Sequence, residues 1–183
     1  MTKLAPALAT LVSALLTVGS TSVALADPAR HDGGQGVDDA GRGTDGAAIV
    51  VAWNRELIHI VQIPGAQPAT VHQTRSYALL QTAIYDAVVS ITREGTPVLV
   101  SVGAPRGARP DAAAAAAGHA TLVAIYPAMK PALDQQLADE LSLIPEGRAK
   151  REGSDVGNKV ASLLLAARAD DGSAAIPAPF VAG

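Results

Sequence analysis

A chain of 183 residues with 14 basic and 17 acidic side chains, a formal net charge of −3 and no cysteine carries no electrostatic footprint for nucleic acid, no disulfide framework and no thiolate metal site. Hydrophobic residues make up 49% of it, but much of that is alanine, with one Trp, three Tyr and one Phe. Alanine lets helices approach closely and buries little area per residue, so the expectation is marginal stability from packing alone.

Residues 1–26 read as a secretory signal peptide. Lys3 supplies a positive start, Leu4 to Val18 is almost entirely apolar or small, and Ala24-Leu25-Ala26 forms a small-x-small cleavage site before Asp27-Pro28. The apolar run is short for a membrane span, and no later stretch approaches the ~20 apolar residues that one needs. The expectation is a secreted or extracytoplasmic protein with no membrane segment beyond the signal peptide; a retained anchor is the alternative. Residues 27–46, DPARHDGGQGVDDAGRGTDG, are dense in Gly and Asp, lack apolar periodicity and are predicted to be a disordered leader.

Helical periodicity begins near Ala47. Val50, Trp53, Leu57 and Val61 recur at three- and four-residue steps until Pro64-Gly65 stops the first helix. A second helix is predicted from Pro68 or Ala69 to about Thr92, with Tyr77, Leu80, Ile84, Val88 and Ile91 as its inward stripe. EGTPVLVSVGAPRGARP, residues 94–110, holds the Pro and Gly of a connecting loop with an apolar patch that can pack over a bundle. Asp111 stands at the start of DAAAAAAGHATLVAIYP, a third helix that ends before Pro127. In KPALDQQLADELSLIP, Pro131 lies in a first turn and Leu133, Leu137, Leu141 and Ile144 fall on one face. A fifth helix is expected from Gly147 to about Asp170, with Val156, Val160, Leu163 and Ala167 inward, and Gly172 ending it in a left-handed conformation. No segment alternates with period two. The fold class is therefore all-α: about five helices forming a partial helical bundle over residues 47–175, followed by a Pro-rich tail, 176–183.

Candidate chemistry is sparse. His31 lies in the leader, and His59, His72 and His119 fall on separate segments without metal-ligand spacing, so a metal or small-ligand site would need tertiary assembly. Asp38-Asp39 and Asp170-Asp171 are sequence neighbours that point apart rather than forming a two-carboxylate site. No nucleophile elbow, phosphate-binding Gly loop or dinucleotide fingerprint occurs. Gly153-x-x-x-Gly157 has the spacing of a close helix contact. The Tyr85-Asp86 pair in the second helix reads as structural: Tyr85 would bury its ring, and Asp86 would accept from a neighbouring helix or from Arg75.

Taken in order, Trp53-Asn54-Arg55, then TRSYALLQTAIYDAV, RPDAAAAAAGHATL, Tyr126-Pro127, EGSDVGNKVA and RADDGS resemble the N-terminal half of bacterial vanadium-dependent haloperoxidases, within the type 2 phosphatidic acid phosphatase superfamily. The resemblance covers roughly residues 47–175. It implies a helical enzyme in which vanadate, or phosphate in the phosphatases, is held by Lys, Arg, Ser-Gly-His and a second Arg, with a further His on the metal or attacking phosphorus. Those motifs belong to the family's C-terminal half. In this chain Arg109-Pro110 has Val102 where the Lys would stand, Gly118-His119 follows Ala117 rather than Ser, and Ser76 follows Arg75 rather than preceding it. No catalytic, cofactor-binding or metal residue is carried over, and vanadate is expected only of a full-length member. The sequence thus points to a truncated, exported scaffold that is inactive alone and partnered by a missing catalytic half. The alternative is a stand-alone helical interaction module that buries its apolar stripes in a homo-oligomer or on a partner.

Overall fold

Alanine places the centre of this fold where no amphipathic stripe would. The computed structural model describes residues 46–67 and 72–175, all within one unit spanning Asp39–Gly183. The expected signal peptide, the expected leader up to residue 45, the expected Pro68 start of the second helix and the Pro-rich tail lie outside the described residues, whereas Gly46, the last residue assigned to the leader, opens the first helix instead. Five α-helices occur among them, without a strand: α1 (Gly46–Gln62), α2 (His72–Thr92), α3 (Pro110–Ile125), α4 (Lys130–Ser142) and α5 (Arg148–Ala167), with a 3-10 turn at Pro127–Met129 between α3 and α4. The all-α architecture read from the sequence is the architecture found.

α3 is the axis. It packs against all four other helices, most extensively against α5 and then α2, and every residue from Asp111 to Gly118 is buried. Pro110 opens it, where a missing N–H costs nothing and the fixed φ already suits a helix. Two apolar clusters flank this axis. One gathers Ile49, Trp53, Leu57 and Ile60 of α1 with Leu80 and Ile84 of α2 and Leu122 of α3. The other joins Leu79, Ala83 and Ala87 of α2 to Val156, Val160 and Leu164 of α5 through Ala113 and Ala117.

This two-sided burial corrects the sequence-predicted stripes. α2 lies between the clusters, so Leu79, Ala83 and Ala87 are buried as well as Leu80 and Ile84, whereas Tyr77, Val88 and Ile91 are only partly buried. On α1 the inward face is turned by one residue: Ile49 and Ile60 are buried, Val50 and Val61 half-buried. On α5 Leu164 takes the place expected of Leu163, which is exposed, as is Ala167. α5 itself ends at Ala167, three residues early, and Gly172 then adopts the left-handed conformation (φ 81°).

The α3–α5 seam is the closest approach in the molecule. A Cβ on Gly153 would overlap the carbonyl oxygen of Arg109, and one on Gly157 would overlap that of Ala113. The Gly-x-x-x-Gly spacing is thus an internal helix contact, in which glycine lets two backbones touch.

Candidate functional site

Asp86 answers to the loop rather than to a helix. Its carboxylate is fully buried and accepts the backbone N–H groups of Val98 (2.6 Å), Leu99 (3.0 Å) and Val100 (2.9 Å). Four residues on, Ser90 Oγ accepts from Val102 N–H at 3.2 Å. One face of α2 therefore supplies the ladder that an otherwise unpaired extended segment needs, as buried backbone donors must find acceptors. The expected partners, a neighbouring helix or Arg75, are not its partners. Tyr85 also departs from expectation: it is 43% exposed, because the position before a buried Asp86 on α2 faces outward.

Arg75 pairs instead with Asp171. Its Nε donates to Asp171 Oδ2 at 2.8 Å and its NH2 to the Arg168 carbonyl at 3.1 Å, tying the start of α2 to the end of α5. The Arg75 guanidinium and the Ser173 backbone N–H hold the Asp171 carboxyl far below the ordinary carboxylate range. These residues form one end of a cleft of about 560 Å3, whose other walls are Ala78, Leu79 and Thr82 of α2, Leu164 of α5, and Val98 and Leu99 of the loop.

A second polar cluster lies on the opposite side of α3, around Trp53. His119 stands edge-on to the indole, ring centroids 6.3 Å apart, with its Nε2 2.8 Å from Asp134 Oδ1. Lys130 and then His119 draw the Asp134 carboxyl below its usual range. Glu140, in the last turn of α4, is buried; Gln136 Nε2 donates to its Oε1 at 3.2 Å, while Oε2 and Trp53 Nε1 are buried without a hydrogen-bond partner among the described residues. Burial raises the Glu140 carboxyl to about 7, against the opposing pull of the Gln136 hydrogen bond. A carboxylate near the C-terminal end of a helix is also disfavoured by the exposed carbonyls there.

The histidines singled out in the sequence do not converge. His31 lies outside the described residues, His59 is exposed, His72 opens α2 with its carbonyl accepting from Ser76 Oγ–H, and His119 pairs with Asp134. No group of three or more His, Asp and Glu that could hold a metal occurs among the described residues. Of the arginines in the sequence motifs, Arg109 is bidentate to Asp111 and Arg75 is held by Asp171.

Sequence reasoning missed Glu140 and the Arg75–Asp171 clasp. The first sits in a helix whose composition looks solvated; the second joins residues 96 positions apart. Neither leaves a local signal. Comparison with family models, with curated proteins and with solved structures gave no match.

Proposed function

We propose that this helical unit is an exported supporting domain of the vanadium-dependent haloperoxidase and type 2 phosphatidic acid phosphatase superfamily, without vanadate or phosphate chemistry of its own, serving a catalytic half carried elsewhere. The observation that carries the reading is the use made of the residues on which the resemblance rests. Asp86 of the TRSYALLQTAIYDAV segment anchors a loop. Arg109 and Asp111 of the RPD segment clamp one another at the head of α3. Gly153 and Gly157 seat α5 on α3. Asn54 of the Trp-Asn-Arg segment accepts from Gln81 Nε2 at 2.8 Å, joining α1 to α2. Asp86, Gly153, Gly157 and Asn54 are spent at junctions between elements, which is what a scaffold requires.

Two measurements test this. Reading the nucleotides beyond codon 183 in all three forward frames should reveal the Lys/Arg-Pro, Pro-Ser-Gly-His and Ser-Arg/His motifs. The purified protein, supplied with vanadate, bromide and peroxide, should brominate no faster than the mixture without it. Strong vanadate-dependent bromination by this chain alone contradicts the reading.

The second reading, a stand-alone interaction or oligomerisation module, is favoured by Val51 and Ile58. They lie seven residues apart on one face of α1, each 44% exposed. Sedimentation across a concentration series separates the two: a concentration-dependent dimer that Ile58→Glu abolishes supports the module, and a monomer at every concentration removes it.

A further inference from the structure

The cleft between α2, α5 and the loop is used by neither reading. Among the described residues that line it, the charged ones are Arg75, Arg168 and Asp171: two cations against one carboxylate. Arg75 is engaged as a clasp, through Asp171 and the Arg168 carbonyl. Arg168 is different. Its side chain lines the cleft, is 48% exposed and reaches Asp171 only at 3.4 Å, which leaves one positive charge at the cleft beyond what Asp171 neutralises.

The remaining walls are apolar, and two of the large apolar side chains on the rim, Val98 (67%) and Leu99 (48%), are exposed. The cleft is also held open before any ligand arrives. Arg75 fixes α2 to the end of α5, and Asp86 fixes the backbone of Val98, Leu99 and Val100. Walls clamped in advance spare a ligand the cost of ordering them, and a volume of about 560 Å3 lies within the usual range of small-molecule sites, roughly 300–1,000 Å3.

We infer that this cleft binds a small amphipathic monoanion: a carboxylate received by the planar fork of Arg168, with an alkyl or aryl tail laid along Ala78, Leu79 and Leu164. The single surplus charge selects one anionic group, and bidentate geometry selects a carboxylate over a halide or a hydroxyl. The apolar walls select a tail over a free inorganic ion.

Calorimetric titration of the purified protein with decanoate, below its micelle concentration, tests this beside decanol and decyltrimethylammonium. The expected result is saturable one-to-one binding of decanoate, with decanol and the cation at least roughly tenfold weaker, the ratio that loss of one charge-assisted contact implies. Arg168→Gln should weaken decanoate about tenfold and change the melting temperature little, since its pair with Asp171 is long and half-exposed. Ala78→Trp, which fills the cleft from an exposed position, should abolish binding. The proposal is overturned by no saturable decanoate binding, by equal binding of anion and cation, or by indifference to Arg168→Gln. It is also overturned if binding appears only after residues 176–183 are removed, which would assign the cleft to the chain's own tail. Release of a dimer by decanoate would assign it to a second copy and overturn it likewise.

Discussion

The two sides of α3 solve the same packing problem by opposite means. Toward α5 the contact is made of Gly153, Gly157 and alanines, with carbonyl oxygens of α3 where side chains would otherwise stand; the Arg109 N–H even donates across the seam to Ala149 O at 3.0 Å. Toward α1 and α4 the contact is made of Trp53, Leu57, Leu122 and Leu133, and the large side chains bring polar ends with them: an unpartnered indole N–H, a half-satisfied Glu140 and a His119–Asp134 pair. Close approach gains its energy from many small dispersion contacts and tolerates no added atom. Large side chains bury more area, and leave polar groups whose desolvation is uncompensated.

The comparison breaks most sharply at Gly157. Gly157→Leu should destabilise by about 4 kcal/mol or more, enough to prevent folding of a marginal domain, because the obstruction is backbone and cannot swing away. Urea denaturation reads this out, and a fully folded variant would refute the seam. Next in size is Asp86→Ala, which strips an acceptor from three backbone donors and should cost about 3 kcal/mol in the same assay.

Glu140→Gln sharpens the contrast from the other side, and should stabilise. With its carboxyl raised from 4.5 to about 7, the native state binds more protons than the unfolded chain between those values. Wild-type stability therefore falls as pH rises through that window, and the loss is complete above it. Melts at pH 8 should show the variant ahead by on the order of 1–2 kcal/mol, after allowance for residual solvent, and level with wild type near pH 4. The smallest effect belongs to Asp171→Asn. Its carboxyl is held below the ordinary 3.8, so the stability it lends is present above that value and lost as pH falls through the lowered one. Wild type and variant should differ slightly at neutral pH and converge in acid melts.

The helices were legible because their punctuation is local: Pro64-Gly65, Pro110, Pro127, Pro131 and Gly147 bound them at or near the observed ends. The spacing of Gly153 and Gly157 made a close helix contact legible, but not that its partner is α3. Inward faces were not fully so, because a stripe assumes one buried side, whereas α2 has two and α3 is buried throughout its first turns. An alanine run gives period-seeking arguments nothing to count. The polar anchors were the least legible. Asp86 could be marked as structural from its position within an apolar helix, but its partners at residues 98–100 are backbone groups in a loop, which carry no residue signature. Arg75, free to be read as Asp86's partner within α2, is claimed by Asp171 from α5's far end.

Amide hydrogen exchange at Val98, Leu99 and Val100, in wild type and in Asp86→Ala, tests most directly whether the buried carboxylate in this helix is architecture. Slow exchange at all three in wild type, with protection lost in the variant while α3 and α5 amides stay protected, is the predicted result. Unprotected amides in wild type, or protection that survives the substitution, would contradict it and release Asp86 for some other role.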